Sequence, residues 1–410
     1  MTFQPNRSAA LTRLDEFLPC AGRHYANSRN YDDSVPTDGM RQNVSQLSPW
    51  LHAGLISEVE VVEAVLDQHS PDASDKFIAE VFWRVYFKGY LEQRPTIWRA
   101  FCDQRDAAMA QMASNSGLQR AYGEATEGRT GIAAFDHWAR ELAETGYLHN
   151  HARMWFASIW IFTLKLDWTL GADFFLRHLI DGDAASNTLS WRWVGGLHTK
   201  GKTYLARADN IARYTANQNG GPLSVAGLAE DAPALHEDTE HERQALELPP
   251  APPPIAFDAP YALLLHDEAA SHVPLNLPKA PSLIIGAARP DARSSEPVGD
   301  LALDFAHGSV ESGAAEAAQA FGCDAKRWGE AGDLAGLLKD AGIDRILVPY
   351  LPVGWTRDAL MADLAPLIEG GNAAVLLDDL RRTTWPHAKA GFFGVKKKIE
   401  SVLGEIGVAA

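Results

Sequence analysis

The first part of the chain carries the hydrophobic spacing of amphipathic helices. Between residues 74 and 93, Phe77 and Val81 recur at helical spacing, and a proline soon afterwards ends the pattern. Residues 151–168 are apolar and rich in aromatic side chains, a stretch that predicts one long helix. We therefore expect a mainly α domain over residues 1–220.

The last third of the chain has a different pattern. Short apolar runs alternate there with helical segments, which predicts a small parallel sheet buried between helices. We expect an α/β domain over residues 258–410, and we expect its basic end, residues 392–403, to form a helix that packs on the first domain. The predicted strands lie at residues 261–266, 282–287, 345–350 and 373–379.

An acidic segment that ends in a proline cluster, residues 221–257, separates these two parts. Its composition is typical of an extended, poorly packed linker. Two close histidines in it, His236 and His241, would make half of a metal site, but a solvated loop explains them better. We therefore assign no metal to the chain.

Charge is distributed unevenly along the chain. The net charge is −16, but residues 1–217 hold 22 Lys and Arg against 25 Asp and Glu, whereas the remaining residues hold 15 against 28. A nearly neutral domain can still present a basic face to phosphate groups. The composition thus leaves nucleic acid open as a partner of the first domain, and it argues that the acidic second domain does not face DNA.

Cysteine usage and hydropathy bear on the compartment. The three cysteines, Cys20, Cys102 and Cys323, are far apart and have neither metal nor disulfide spacing. No apolar run is long enough for a transmembrane helix, and the polar N-terminus lacks the apolar stretch of a signal peptide. We expect no membrane partner and a reducing compartment, the cytoplasm.

A series of motifs runs through the helical part in a definite order. Tyr25 and Arg29 stand four apart, and VSQLSPWL, AEVFWRVYFKGYLEQRP and a Gly-Arg-Thr-Gly run follow. An Arg-Met helix, an Asp-Gly-Asp turn and a W-x-W ending complete the series between Tyr147 and Tyr204. Together these motifs resemble the FAD-binding helical half of the photolyase/cryptochrome family. They extend from residue 20 to residue 215.

The resemblance implies a set of FAD-binding residues. Arg153 and Asp181 would form an ion pair beside the flavin ring, and Asp181 and Asp183 would lie at its polar edge. Asn187 matches the family position that faces flavin N5 and affects which redox state of the flavin persists. The remaining expected contacts with FAD come from Tyr25, Arg29, Ser45, Gln46, Leu47, Ser48 and Arg84.

The resemblance also implies a pocket for a flipped-out pyrimidine dimer. Trp83 and Trp193 would stack on the dimer and Glu80 would hydrogen-bond a pyrimidine, while Asn150 and Met154 complete the wall. These residues match the branch that repairs cyclobutane dimers, since the branch that repairs (6-4) photoproducts has histidines at the last two positions. His151 stands where an arginine commonly contacts the lesion strand, which weakens the expected lesion binding.

An electron path to the flavin is implied only in part. Trp191 and Trp168 match the first two tryptophans of the family's photoreduction chain, but Asn115 stands at the position of the third. The sequence leaves four substitutes open, namely Trp155, Trp160, Trp138 and Tyr122.

Two features of the wider family are not expected here. Three scattered cysteines cannot supply the four ligands of an iron–sulfur cluster. Ordinary photolyases carry an α/β antenna domain before the FAD half, whereas here an α/β segment follows it, and we expect no antenna chromophore. The role of that segment is open.

The resemblance therefore implies a DNA photolyase, an enzyme that uses light and reduced FAD to split cyclobutane pyrimidine dimers in UV-damaged DNA by electron transfer. A cryptochrome-like blue-light photoreceptor that signals through the C-terminal domain is the main alternative. Repair of (6-4) photoproducts is a second alternative, and a flavoprotein reductase is weaker because the chain has no nicotinamide-binding motif.

Overall fold

The computed structural model of the protein describes residues 3–34, 40–254 and 257–408. Its first part is built of α-helices, as the hydrophobic spacing predicts. These helices are α1 (Arg7–Phe17), α2 (Arg23–Ser28), α3 (Ser48–His52), α4 (Glu58–Gln68), α5 (Pro71–Glu92), α6 (Thr96–Ala113), α7 (Ser116–Thr126), α8 (Ala133–Thr145), α9 (Asn150–Ser158), α10 (Trp168–His178), α11 (Ala184–Val194) and α12 (Ala208–Tyr214).

Local sequence signals fix the helices that matter most for the site. Ser70 caps α5 by accepting a hydrogen bond from the backbone N–H of Ala73, and Pro71 occupies the first turn, where no donor is lost. Asp183 caps α11 in the same way by accepting from the backbone N–H of Ser186. The caps therefore fix the start of α5 at Pro71 and place the start of α11 at the Asp-Gly-Asp turn.

The single long helix predicted over residues 151–168 is wrong. α9 ends at Ser158, a π-helical turn follows over Ile159–Thr163, and α10 begins at Trp168. Lys165 adopts a left-handed conformation with φ of 55°, which redirects the chain between the two helices. Apolar residues continue through the break because both helices are buried, so hydrophobicity alone did not reveal it.

The predicted linker is extended, and part of it contacts the helical part. Residues 221–254 contain no helix or strand, yet Arg192 of α11 donates two hydrogen bonds to Glu237 (2.7 and 2.6 Å). None of residues 221–254 is buried, which agrees with the expected poor packing, although this ion pair ties Glu237 to α11. His241 contacts Glu237 (3.1 Å), while His236 is exposed, so the two histidines do not form half of a metal site. Residues 255 and 256 of the predicted linker lie outside the described residues.

The C-terminal part is a doubly wound α/β unit, which confirms the predicted fold class. Five parallel strands stand in the order β3-β2-β1-β4-β5. The elements are β1 (Ala262–His266), β2 (Leu283–Ala287), α13 (Asp300–Phe321), β3 (Asp324–Arg327), α14 (Asp333–Asp340), β4 (Ile346–Pro349), α15 (Trp355–Glu369), β5 (Ala373–Leu376), α16 (Asp379–Thr384), α17 (Phe393–Lys396) and α18 (Ile399–Glu405).

Alternate residues of the central strands serve two separate cores. Leu264 and Ile285 pack with residues of α14 and α15 on one face of the sheet. Leu263 and Ile284 pack with residues of α13 on the other face. Burial on both faces explains why these strands read as continuous apolar runs in the sequence.

The carboxyl edge of the sheet docks on the helical part. After β1, the Ala270 N–H donates to the Ala53 carbonyl (2.8 Å). After β4, the indole of Trp355 donates to the Gly182 carbonyl (2.9 Å). In an open parallel sheet, ligands bind at this edge where the strand order reverses, which here is between β1 and β4. The helical part covers that position in this protein.

Two glycines of the helical part permit this close approach. Gly54 has φ of 64°, and a Cβ there would lie 2.6 Å from the carbonyl oxygen of Glu268. A Cβ on Gly89 would lie 2.3 Å from the indole of Trp385. Larger residues at either position would push the two parts of the protein apart.

The basic C-terminal end packs on the first domain, as predicted, but as two short helices rather than one. Val395, Val402 and Leu403 join the hydrophobic core that contains Phe77 of α5. These residues of α17 and α18 are therefore part of the core around α5.

The membrane and cysteine predictions can be compared with the structure directly. Among the described residues, no helix has both the length and the apolar content that a membrane span requires. Cys20, Cys102 and Cys323 are half-buried free thiols. Burial raises the pKa of the Cys102 thiol to about 12, so it is protonated and unreactive at neutral pH.

Asp267, directly after β1, is a buried carboxyl at the docked edge. Burial raises its pKa from 3.8 to about 7, and a hydrogen bond from the Arg289 N–H and the charge of Arg293 offset only part of this effect. The folded protein therefore holds a proton that the unfolded chain releases at lower pH. The stability that this proton contributes is present below pH 3.8 and is lost as pH rises to about 7.

Asp267→Asn should remove this pH dependence. We expect the variant to be more stable than the wild type above pH 7, by about 2 to 4 kcal/mol, because no buried charge forms. Urea unfolding at a series of pH values measures the effect, and Asp340→Asn, an exposed carboxylate, is the control that should keep the wild-type slope. Equal slopes for Asp267→Asn and the wild type would contradict the assignment.

Candidate functional site

Helix α5 carries three charged side chains at four-residue intervals, so Glu80, Arg84 and Lys88 lie along one face. Lys88 is only 3% exposed, which requires a nearby counter-charge. Asp183 at the start of α11 supplies it, with Oδ2 lying 3.3 Å from Lys88 Nζ and 3.9 Å from Arg84 Nη2. The charged face of α5 therefore meets the Asp-Gly-Asp turn.

Arg153 and Asp181 form a bidentate ion pair. Arg153 Nη1 and Nη2 lie 3.2 and 3.1 Å from the two carboxylate oxygens of Asp181. Burial alone would raise the pKa of Asp181, but Arg153, a hydrogen bond from Ser48 and the charge of Arg84 outweigh it and lower that pKa. Asp181 is therefore ionised and fixed in orientation at neutral pH.

A second buried cluster joins the helical part to the α/β unit. Lys88 forms ion pairs with both Asp183 and Glu268, the latter from the loop after β1. His52 Nδ1 lies 3.5 Å from Asp183 Oδ2. Burial opposes ionisation of Asp183, yet Lys88, His52 and Arg84 hold its pKa well below the usual range.

The loop that precedes α3 is held in a strained conformation. Gln46 has φ of 54°, which is uncommon for a residue with a side chain. Arg13 stabilises the loop by donating hydrogen bonds to the carbonyls of Ser45 (2.8 Å) and Val44 (2.9 Å). Strained backbone of this kind is concentrated at binding sites. The loop ends at Ser48, which reaches Asp181.

The site has unsatisfied hydrogen-bonding groups that fit FAD. Arg84 Nε and Nη2 are buried and donate no hydrogen bond to any described residue, and His52 Nε2 is likewise without one. Buried donors of this kind require a partner. The phosphate and ring oxygens of FAD supply acceptors of the right chemistry, so the residues present fit the cofactor that the resemblance implies.

The other predicted FAD contacts are less clearly directed at this site. Tyr25 is buried in an aromatic cluster, with its ring 5.1 Å from that of Phe77. Arg29 is half-buried and near Glu80. Asn187 donates through Nδ2 to the Ala172 carbonyl (2.8 Å), which leaves its oxygen as the free end. Their contacts with FAD stay predictions.

Trp83, predicted to stack on a lesion, stacks on a residue of the C-terminal part. Its ring lies 4.0 Å from that of Phe392 at an interplanar angle of 16°. One turn away, Glu80 is half-buried and forms no hydrogen bond or ion pair within the described residues. Trp193 packs instead on Tyr204 (5.6 Å), so the described ring contacts do not join the two tryptophans.

The remaining pocket residues lie at the start of α9. His151 Nδ1 contacts the Asn30 carbonyl (3.0 Å), and Nε2 contacts the Tyr204 hydroxyl (3.3 Å). Both ring nitrogens are therefore engaged within the protein, which does not support a lesion contact by His151. Asn150 is exposed and Met154 half-buried.

Aromatic contacts define a path from Trp191 toward the surface. The ring of Trp191 lies 6.2 Å from that of Trp160, which in turn lies 5.9 Å from that of Tyr122. Trp168 contacts Phe101 (5.7 Å), and no ring contact joins it to Trp191 among the described residues. Of the four substitutes left open by the sequence, Trp160 and Tyr122 thus lie in line with Trp191.

Sequence reasoning missed Lys88, His52, Glu268 and Phe392. Lys88 could have been found, because it continues the four-residue spacing of Glu80 and Arg84. His52, Glu268 and Phe392 had no such spacing signal. Glu268 and Phe392 reach the site only because the C-terminal part docks on the helical part.

Comparison with known proteins agrees with these observations. A family described as the FAD binding domain of DNA photolyase matches residues 77–219. The deoxyribodipyrimidine photo-lyase of Streptomyces griseus is 33% identical over 207 residues, which are 47% of this chain and 42% of that protein. The protein of the same name from Escherichia coli is 28% identical over 278 residues, 65% of this chain and 54% of that protein. The chain thus spans about half the length of these relatives.

Two solved structures resemble the chain over a similar share. A bacterial class III photolyase from Agrobacterium tumefaciens has 29% identity and a TM-score of 0.42, covering 51% of this chain and 42% of that one. A cryptochrome from Synechocystis has 24% identity and a TM-score of 0.43, covering 52% and 44%. The matched family region contains Arg84, Arg153, Asp181 and Asp183, so the helical part carries an FAD-binding domain of this kind.

Lys88→Met tests the buried cluster. The variant leaves Asp183 and Glu268 buried beside each other without their shared cation, so we expect it to lose about 3 to 5 kcal/mol of unfolding free energy. Urea unfolding at neutral pH measures this loss. Lys76→Met, on the same helix but with a 49% exposed side chain, is the matched control and should change stability by less than about 1 kcal/mol. Equal losses in the two variants would show that the cluster does not stabilise the fold.

Proposed function

The chain belongs, through its helical part, to the photolyase/cryptochrome family, and from this premise we propose that it is a light-driven DNA lyase. Its cofactor is FAD, and its proposed substrate is the cyclobutane pyrimidine dimer of UV-damaged DNA. The observation that carries the proposal is the buried charged site around Arg84 and Asp181, one helical turn from Glu80. We also propose the cytoplasm as its compartment, because the cysteines are free thiols.

Arg84, Arg153, Asp181, Asp183 and the loop that ends at Ser48 would hold FAD. When bound, FAD supplies a light-excited electron donor that can split the ring joining two pyrimidines. The burial of these charges excludes water, which strengthens their action on a bound group. Because Arg153 and Asp181 already fix each other, little reorganisation accompanies binding.

Glu80 is the residue that we propose donates a hydrogen bond to the dimer. Burial raises the pKa of its carboxyl, and the charges of Arg29 and Lys76 only partly oppose this. A carboxyl that keeps its proton can donate to a pyrimidine carbonyl oxygen, whereas a carboxylate would repel it. The raised pKa thus supports Glu80 as a donor rather than an ionised anchor.

A cryptochrome-like photoreceptor is the second candidate function, and one contact favours it. Phe392 of the C-terminal part stacks on Trp83, one helical turn from Glu80. A structural change in the pocket would therefore act directly on the C-terminal part. A photoreceptor needs such a connection, whereas a repair enzyme does not.

Glu80→Ala tests the repair function. Purified protein with reduced FAD is illuminated with blue light in the presence of a duplex that carries one cyclobutane thymine dimer, and repair is followed by recovery of thymine absorbance. We expect the wild type to repair the dimer only in light. The variant should repair about 10- to 100-fold more slowly, because a hydrogen bond to the dimer is lost.

Glu63→Ala, an exposed glutamate of α4, is the control and should repair at the wild-type rate. FAD content, measured by absorbance after denaturation, should be unchanged in both variants. If the wild-type protein binds FAD but does not repair the dimer in light, the lyase function is wrong and the photoreceptor function is favoured.

Trp160→Phe tests the aromatic path. We expect light-driven reduction of bound oxidised FAD to slow severalfold in this variant, because Trp160 is the ring that contacts both Trp191 and Tyr122. Trp168→Phe serves as the comparison and should slow reduction less. Flavin absorbance during illumination with an added reductant measures both rates. If Trp168→Phe slows reduction more than Trp160→Phe does, the result contradicts the path through Trp160 and supports the path through Trp168 that the family resemblance implies.

A further inference from the structure

The C-terminal chain crosses the face of α5 that carries the predicted dimer pocket. Residues 388–398, here named the aromatic–basic segment, lie along that helix. The Tyr86 hydroxyl donates to the Ala390 carbonyl (2.7 Å), and Phe392 stacks on Trp83 at 4.0 Å. The middle of the segment therefore contacts Trp83, one of the residues predicted to line the pocket.

Both ends of the segment are fixed as well. The Gln93 side chain donates to the Ala388 carbonyl (3.1 Å) near the C-terminal end of α5. Lys396 forms an ion pair with Asp75 (3.0 Å) near its N-terminal end. The segment thus runs antiparallel to α5 as a held part of the surface.

Phe393, within this segment, is exposed although both of its apolar neighbours are buried. Its exposed fraction is 75%, against 42% for Val273 and 38% for Leu301, the other exposed large hydrophobic residues within the described ranges. Phe392 and Val395 are buried at 5% and 0%. Because these two anchor the turn in the core, Phe393 is directed outward by the backbone and cannot turn inward without unpacking them.

The charge around Phe393 differs from that of the rest of the C-terminal part. Residues 380–399 contain six Lys and Arg and no Asp or Glu. Lys389, Lys397 and Lys398 are exposed. An exposed aromatic ring flanked in sequence by exposed lysines, next to a residue that stacks on Trp83, has the chemistry to bind a duplex from which a base is extruded. Such a duplex presents phosphates beside a gap in its base stack.

We infer that the aromatic–basic segment is a DNA-binding element of the C-terminal part. Phe393 enters the base stack at the gap that the flipped dimer leaves, and Lys397 and Lys398 contact phosphates beside it. The inference rests on the proposed repair function and extends it, because it assigns to the C-terminal part a direct role in recognising the lesion. It also reverses, for this segment, the expectation that the acidic part of the chain does not face DNA.

Phe393→Ala tests the aromatic contact. We expect affinity for a duplex with one thymine dimer to fall about tenfold, because stacking against the exposed ring is lost. Affinity for the same duplex without the dimer should not change, since no gap is present. Fluorescence anisotropy of labelled duplexes in the dark measures both, and Leu301→Ala, another exposed apolar residue, is the control that should bind as the wild type does.

The double variant Lys397→Ala/Lys398→Ala tests the phosphate contacts. We expect it to weaken binding of both duplexes and to reduce the slope of log K against log salt by about 2, since each phosphate contact contributes about 0.9. The control is Lys326→Ala/Lys339→Ala, which removes two exposed lysines from the far side of the α/β unit. FAD content and circular dichroism should match the wild type in all variants, because the altered side chains are exposed.

The outcomes separate this inference from the proposed function. In one outcome the wild type prefers the duplex with the dimer, and the Phe393→Ala and lysine variants bind both duplexes with wild-type affinity. This result overturns the DNA-binding element and leaves the proposed function intact. A wild type without preference for the dimer overturns the proposed function and the element together. If Phe393→Ala instead changes the sedimentation coefficient of the free protein and not its DNA affinity, the exposed ring belongs to a contact between copies of the chain and the inference is wrong.

Discussion

The structure depends on one buried cation, the ammonium of Lys88. Moving such a charge out of water costs several kcal/mol unless anions compensate for it, and Asp183 of the helical part and Glu268 of the α/β unit do so together. With Arg84, Arg153 and Asp181 included, three cations face three anions. Removing the C-terminal part would therefore leave an excess positive charge inside the predicted FAD site, which makes the α/β unit a component of that site.

The need of buried Lys88 for a carboxylate from the α/β unit explains how that unit is oriented. A doubly wound sheet normally offers the carboxyl ends of its strands to a ligand, and Glu268 is the second residue after β1 at that edge. Because the carboxylate must reach Lys88, the edge is occupied by the helical part. Gly54 makes the approach possible, since any side chain there would collide with the Glu268 backbone. The unit thus uses its usual binding edge to complete another site.

Features encoded within a short stretch of sequence were predictable, and features that depend on docking were not. The helical spacing of α5 and the order of motifs around Arg153 and Asp181 are local, so the helical fold and the FAD-binding domain followed from them. The parallel sheet followed from the short apolar runs of the last third of the chain, which are local as well. The break after Ser158 was hidden because buried residues flank it on both sides. Glu268 lies 180 residues from Lys88 in sequence, and no periodicity connects positions so far apart.

Net charge likewise does not predict the charge of an individual surface. Salt screens charges over about 8 to 10 Å under physiological conditions. A phosphate group therefore responds to the charged side chains near it and hardly to the net charge of the whole protein. A sum of −16 over 410 residues therefore says little about any one surface. The run from residue 380 to residue 399 is basic within an acidic part of the chain, and its position is set by Trp385 and Phe392 packing on α5. The overall composition conceals this basic run, whereas the packing of two aromatic residues fixes its position along α5.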